Sequence, residues 1–210
     1  MPSAYTDNGP NGVSTIFSNT SITTGYINQS ISFDASSFSY FQTWGFTSFA
    51  FNTQSFSITF WIKPQSLSGT LVHLSTSSLG IGSTCFSLLG FNSNGTIVAQ
   101  LLTSNTSIET ILGPILPIAL SWTLVVETWS LTNGLRLYIN STLVNSLVAP
   151  SFYTSGITPN YLTLGHCLNG CHTCLNGLID TAGPFTGLID EWRIFSRELS
   201  LNDVCTLYFE

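Results

Sequence analysis

The stretch Ser55-Phe-Ser-Ile-Thr-Phe-Trp-Ile-Lys-Pro64 sets Phe56, Ile58, Phe60 and Ile62 at every second position and ends on a proline. Ser57, Thr59, Trp61 and Lys63 fill the places between. Successive side chains of a strand point to opposite faces, so this period of two makes a strand with one apolar face. Proline brings no N–H to a ladder and closes the strand. Working outward, Leu71 to Leu74, Cys85 to Phe91 and Thr96 to Leu102 read as further short strands, with Asn94-Gly95 as a hairpin turn. Ser121 to Trp129 is a longer one. Asn133-Gly134 turns the chain into Leu135, Leu137 and Ile139, which alternate with Arg136, Tyr138 and Asn140; Tyr161 to Leu164 and Gly187 to Phe195 follow. Only Ser200 to Tyr208 reads as helical, because Ser200 and Asp203 form a capping box ahead of Val204 and Leu207. With no internal repeat and no linker, the pattern predicts one all-β antiparallel sandwich with a short C-terminal helical turn.

Charged residues are 7% of the 210, whereas 30 Ser and 27 Thr supply the polar surface. Four basic residues (Lys63, Arg136, Arg193, Arg197) face ten acidic ones, a net charge of −6. No basic stripe exists to displace counterions from nucleic acid or to dock on an anionic bilayer. The most apolar run, Ile111 to Val126, is interrupted by Pro114 and Pro117 and falls short of the roughly 20 residues of a membrane span. The first residues, MPSAYTDNGP, have neither a basic nor an apolar signal region, so a mature or excised fragment is expected.

Five cysteines, Cys85, Cys167, Cys171, Cys174 and Cys205, fit disulfides in an oxidising compartment, and the odd count leaves one without an intramolecular mate. N-x-S/T sequons stand at Asn19, Asn28, Asn94, Asn105 and Asn140. The sequon count alone is close to chance for this composition, but taken together these features predict an extracellular chain, secreted or at the cell surface.

Three blocks carry a family resemblance. Ser30-Ile-Ser-Phe-Asp34 with Ser55 to Pro64 resembles the opening strands of laminin-G-like, concanavalin A-like jelly-roll domains. Trp122-Thr-Leu-Val-Val126 and Leu135-Arg-Leu-Tyr-Ile-Asn140 are similar to the central pair. Gly187-Leu-Ile-Asp-Glu-Trp-Arg-Ile-Phe-Ser-Arg197, followed by Leu199 to Val204, resembles the closing strand and its helix. Ser141 and Ala35 stand where the family usually has glycine. The resemblance covers about Tyr26 to Tyr208, so it implies a two-sheet jelly roll over residues 26–210 preceded by an extended segment, residues 1–25. It also implies extracellular adhesion, glycan-binding or assembly roles, often with structural calcium. In relatives the acid of the Ile-Asp-Glu strand and acids near the Phe-Asp strand lie close to that ion, which nominates Asp190 and Asp34 as calcium ligands.

A glycosidase is disfavoured. Retaining hydrolysis needs two carboxylates about 5 Å apart, and Glu109, Glu127, Glu191 and Glu198 do not have the same-face spacing of the E-x-D-x-x-E motif of glucanase relatives. By simple alternation Asp190 shares a face with Leu188, Trp192 and Ile194, opposite Glu191, where it accepts backbone N–H groups or meets a metal. His166, Cys167, Cys171, His172 and Cys174 crowd into nine residues. They are a zinc site or, as the composition favours, disulfides stapling a long loop onto the sandwich through Cys85 or Cys205. His73 has no partner pattern and reads as packing. Phe38, Tyr40, Phe41, Trp44, Phe46, Phe49 and Phe51 are dense enough to stack sugars, although such clusters more often form core or inter-subunit contacts.

The functional expectation is a non-catalytic recognition module binding a glycan or an extracellular protein. A structural subunit, whose residues 1–25 add as a strand to the next copy in a filament, is the alternative.

Overall fold

The alternation at residues 56–64 becomes the middle strand of a seven-stranded sheet in a computed structural model that describes residues 4–7, 9–34, 36, 38–148, 151–153 and 160–210. That sheet runs β12 (Thr142–Leu147), β11 (Gly134–Ile139), β10 (Thr123–Ser130), β5 (Phe56–Pro64), β14 (Thr186–Phe195), β3 (Gln29–Asp34) and β2 (Thr20–Thr24). A second sheet of seven runs β1 (Thr15–Ser18), β4 (Tyr40–Trp44), β13 (Tyr161–Leu164), β6 (Thr70–Ser75), β7 (Cys85–Phe91), β8 (Thr96–Leu102) and β9 (Ile108–Ile115). Every strand pairing within the two sheets is antiparallel. The expected two-sheet sandwich is the observed fold.

Phe56, Ile58, Phe60 and Ile62 are fully buried between the sheets. On the outer side of the same sheet, Trp61, Leu124, Val126 and Tyr138 are covered by Leu199 and by α2 (Leu201–Phe209). The capping box that starts α2 is present in both directions: Ser200 Oγ accepts from the Asp203 N–H and the Asp203 carboxylate accepts from the Ser200 N–H.

Several elements depart from the sequence reading. β9 was hidden by Gly113-Pro114 near its end, and β12 follows its turn too closely to stand out. That turn, Asn140-Ser141, has φ of +48° and +64°, so the serine adopts the conformation of the expected glycine; Ala35 lies outside the described residues. Within residues 1–25, β1 pairs with β4 and β2 with β3, so both strands form edges of the chain's own sandwich.

The cysteine cluster resolves into Cys85–Cys174 and Cys167–Cys171, leaving Cys205 free on α2. A short helix, α1 (Gly170–Thr173), shapes this loop over the outer face of the second sheet. Beneath it lies a polar layer. Asn176 donates to the carbonyls of Gly170, Cys171 and Cys174, and its Oδ1 accepts from Ser87. Gln100 donates to the carbonyls of Ser87 and Asn176. His73 lies 2.8 Å from the Gly80 carbonyl through Nε2, and burial pushes its pKa down to about 4, so it packs as a neutral ring. All five sequon asparagines are exposed and stand at or beside connections between strands.

One residue contradicts its surroundings. Glu127 sits on β10 opposite Ile58 and Leu137, between Val125 and Trp129 on the inward face. It is fully buried, and neither carboxylate oxygen has a hydrogen-bond partner. Burial raises its pKa well above the ordinary 4.5. The folded state therefore holds a proton that the unfolded state releases above about 4.5, and stability falls as the pH climbs from there towards the folded value. Glu127→Met should raise the melting temperature by removing an unsatisfied group worth about 1–3 kcal/mol. The gain over wild type should widen as the pH rises above 4.5; a pH-independent difference in thermal melts would contradict the account. For the disulfides, Cys85–Cys174 closes 89 residues and Cys167–Cys171 only 4. Replacing the first pair by alanines should cost about 4–5 kcal/mol in denaturant titrations and replacing the second about 2.

Candidate functional site

β14 is ten residues long, but its register with β3 stops at Ile189 opposite Ile31. Asp190 to Phe195 run on past the β2–β3 hairpin with β5 on one side and, among the described residues, no strand on the other. A cleft of about 710 Å³ opens there, within the usual size of a small-ligand pocket. Its walls are the free end of β14, the hairpin tip at Ile27 to Gln29 and, from the N-terminal segment, Ala4, Thr6, Asp7, Gly9, Pro10, Asn11 and Val13. Its floor is Phe41 and Thr43 of the opposite sheet with Phe46 of the segment that follows β4.

A bulge shapes the mouth. The pairing of β14 with β5 slips between Asp190 and Arg193, where Glu191 holds a φ of +50°. The extra residue reverses the alternation beyond it. Trp192 and Ile194 accordingly turn inward onto the core, with the Trp192 ring 5.9 Å from that of Phe60. Asp190 and Arg193, paired with Trp61 and Thr59, share the outer face. This corrects the reading by simple alternation, which put Asp190 on the face of Trp192 and Ile194.

The polar groups of the cleft divide into tied and free. Asp190 Oδ2 accepts the Ile27 N–H at 2.8 Å and Oδ1 the Glu191 N–H at 2.8 Å, so this side chain anchors the hairpin tip to the bulge. Desolvation, followed by the charge of Glu191, pushes the Asp190 carboxyl up against the pull of those N–H groups. Arg193 is held by Glu191 at 3.1 Å through Nε and by Glu210 at 2.7 Å through Nη1. Asp7 accepts the Gly9 and Val13 N–H groups and shapes the N-terminal wall. Gln29 and Thr43 are different. They share strand faces with Ile31 and Phe41, so they point between the sheets, and Gln29 Oε1 and Thr43 Oγ1 are buried without any partner. Thr43 is only 5% exposed. Neither was singled out from sequence, because a buried polar atom becomes conspicuous only when its neighbours fail to satisfy it.

The other sequence candidates lie elsewhere. Asp34 stands opposite Thr186, four residues along β14 from Asp190, about 13 Å at 3.3 Å per residue. It is exposed and accepts from Ser36 N–H and Oγ, which lowers its pKa. The two acids are not brought together and do not fit as joint ligands of one calcium ion. His166, Cys167 and Cys171 lie close enough to hold a metal, but both sulfurs are in the disulfide. Of the aromatic cluster, Phe41 and Phe49 are buried, Phe41 and Phe46 line the cleft, and Phe38 and Phe51 are exposed.

Residues 35–205 match the family model described as the concanavalin A-like lectin/glucanases superfamily. The chain belongs to that superfamily. No curated protein sequence matches it. Among solved structures it is similar to the botulinum neurotoxin serotype G binding domain, with 18% identity and a TM-score of 0.70. The alignment covers 97% of this chain and 48% of that one. The binding domain of Paraclostridial Mosquitocidal Protein 1 aligns at 15% identity and TM-score 0.65, over 97% of this chain and 48% of that one. The serotype D ligand-binding domain, in complex with N-acetylneuraminic acid, aligns at 17% and 0.67, over 97% and 47%. The chain thus spans about half the length of these binding domains, and the fold is what they share with it.

Gly25 tests the anchoring of the hairpin. A Cβ there would clash with Asp190 Oδ2 and come within 2.8 Å of the Gln29 carbonyl carbon and 2.9 Å of Ser30 N. Gly25→Ala should therefore lower stability by about 1–3 kcal/mol by wedging the hairpin from β14. Unchanged chemical denaturation would show that this junction bears no strain.

Proposed function

We propose that the protein is a non-catalytic extracellular recognition module that binds a glycan in the cleft beside the β14 bulge. The observation that carries the reading is the pair of unpartnered buried oxygens, Gln29 Oε1 and Thr43 Oγ1, inside a cleft that also holds the half-buried Trp192 ring. Buried polar atoms are rarely left without partners, and those that are ask for a ligand or water. An acceptor and a hydroxyl beside an apolar ring match a sugar, which offers hydroxyls at its edge and C–H groups on its face. The serotype D domain bound to N-acetylneuraminic acid supports the glycan class by likeness of fold. The disulfides and exposed sequons support an extracellular location.

Two features argue for binding without catalysis. Both oxygens of Asp190 already accept backbone N–H groups, and Glu191 is paired with Arg193, so neither is poised as an acid or a nucleophile. Glu127, the acid with a strongly raised pKa, is sealed in the core.

Thr43→Val separates binding from folding. It keeps the shape and deletes an unsatisfied hydroxyl, so the melting temperature should hold or rise, while glycan affinity should fall about tenfold, the loss of one hydrogen bond of about 1.4 kcal/mol. A variant that binds as wild type in surface plasmon resonance would remove the cleft as the site.

A further inference from the structure

The cleft concentrates charge in a chain that has little. Asp7, Asp190, Glu191 and Arg193 all line it, against 14 charged residues among the 210. Arg193, the one cation among its described lining residues, is engaged twice, by Glu191 and Glu210. Asp190 has no ion-pair partner among the described residues, and its carboxylate oxygens are met only by backbone N–H groups. The bulge at Glu191 sets this carboxylate and the Glu191–Arg193 pair beside each other at the mouth. Deeper in, the unpartnered Thr43 hydroxyl and the Gln29 oxygen mark where a ligand's own hydroxyls enter.

Resting on the glycan reading above, we infer that the cleft selects its sugar by charge, accepting neutral and amine-bearing glycans and excluding carboxylated or sulfated ones, with Asp190 and Glu191 as the discriminating residues. An anionic ligand would lose water while approaching a buried carboxylate that has no ion-pair partner among the described residues, and Arg193 is already neutralised, so it offers no compensating charge. A protonated amine meets the opposite situation, because Asp190 lacks a counter-ion and an entering cation supplies one. The desolvation of Asp190, which raises its carboxyl, is the same effect seen from the protein's side. Selection of this sign would separate the chain from the serotype D domain, whose crystallised ligand is an acidic sugar.

The test is an immobilised glycan array with neutral, amine-bearing, sialylated and sulfated members, probed with the intact chain at low and at high salt. Expected is binding to neutral or amine-bearing members, at least tenfold over their sialylated or sulfated counterparts, with the amine preference shrinking as salt rises. Glu191→Gln, which retains a side-chain oxygen for Arg193, should narrow the discrimination severalfold. Asp190→Asn should narrow it further. Should Asp190→Asn prove too unstable because its amide nitrogen cannot accept an N–H, the Glu191→Gln result decides alone. Strongest binding to sialylated or sulfated members, or discrimination unmoved by Glu191→Gln, overturns the inference and leaves the glycan reading standing. Silence across the whole array overturns the glycan reading itself and this inference with it.

Discussion

Between the two sheets, each strand contributes its alternate side chains to one shared core, and a strand that keeps strict alternation keeps the same residues inside along its whole length. β14 breaks that rule once. Its extra residue at Glu191 lets Ile189 and then Trp192 and Ile194 face inward, with Asp190, Arg193 and Phe195 outside. Without the slip, Trp192 and Ile194 would face outward with Asp190, and Arg193 would enter the core. The bulge also lies just past the last pairing with β3, so beyond it β14 has only β5 beside it among the described residues and the sandwich remains open at that corner. Asp190 then ties the hairpin tip to the bulge, and the cleft is bounded by groups that hold one another in place.

Much of this was legible in the residues. Phe56 to Ile62 declared their strand because both of its faces follow one period, and Cys85–Phe91, Thr96–Leu102 and Tyr161–Leu164 had turn residues at their ends. Ser200 and Asp203 marked the helix because a capping box is a local arrangement that needs no tertiary information. The bulge was not legible. A glycine would have advertised a positive φ, but the position is occupied by glutamate, and its conformation is imposed by the pairing of β14 with β5. For the same reason Asp190 and Asp34, nominated together by the family resemblance, are separated by a register that no sequence pattern reveals. Gln29 and Thr43 were invisible because being unpartnered is a property of surroundings, not of residue type.

A chain with four basic residues cannot rely on ion pairs for its stability. The pairs among the described residues, Arg136–Glu198, Arg193 with Glu191 and Glu210, and Arg197–Asp203, are all partly exposed and each is worth little. The outer face of one sheet is instead covered by the apolar side of α2 and its flanking residues, and that of the other by a disulfide-tied loop over a layer of hydrogen-bonded Ser, Gln, His and Asn. That polar layer explains the composition: hydroxyls and amides serve where another protein would place apolar residues or ions.

The same economy of charge bears on recognition. In an ordinary charged surface four ionisable residues around a cleft would be background, since salt and neighbouring ions of both signs would blur their field. Here the remaining charges are sparse, and Arg193, the one cation among the cleft's described lining residues, is already bound, so the carboxylates at its mouth act against little competing charge. Backbone N–H groups hold Asp190 in position but do not cancel its full charge, whereas a guanidinium would. On the reading proposed above, a carboxylate with no ion-pair partner among the described residues, set by a strand irregularity at the entrance of a cleft that also holds unsatisfied hydrogen-bonding groups, would separate two tasks: the inner groups would meet hydroxyls, and the entrance would read the sign of whatever carries them.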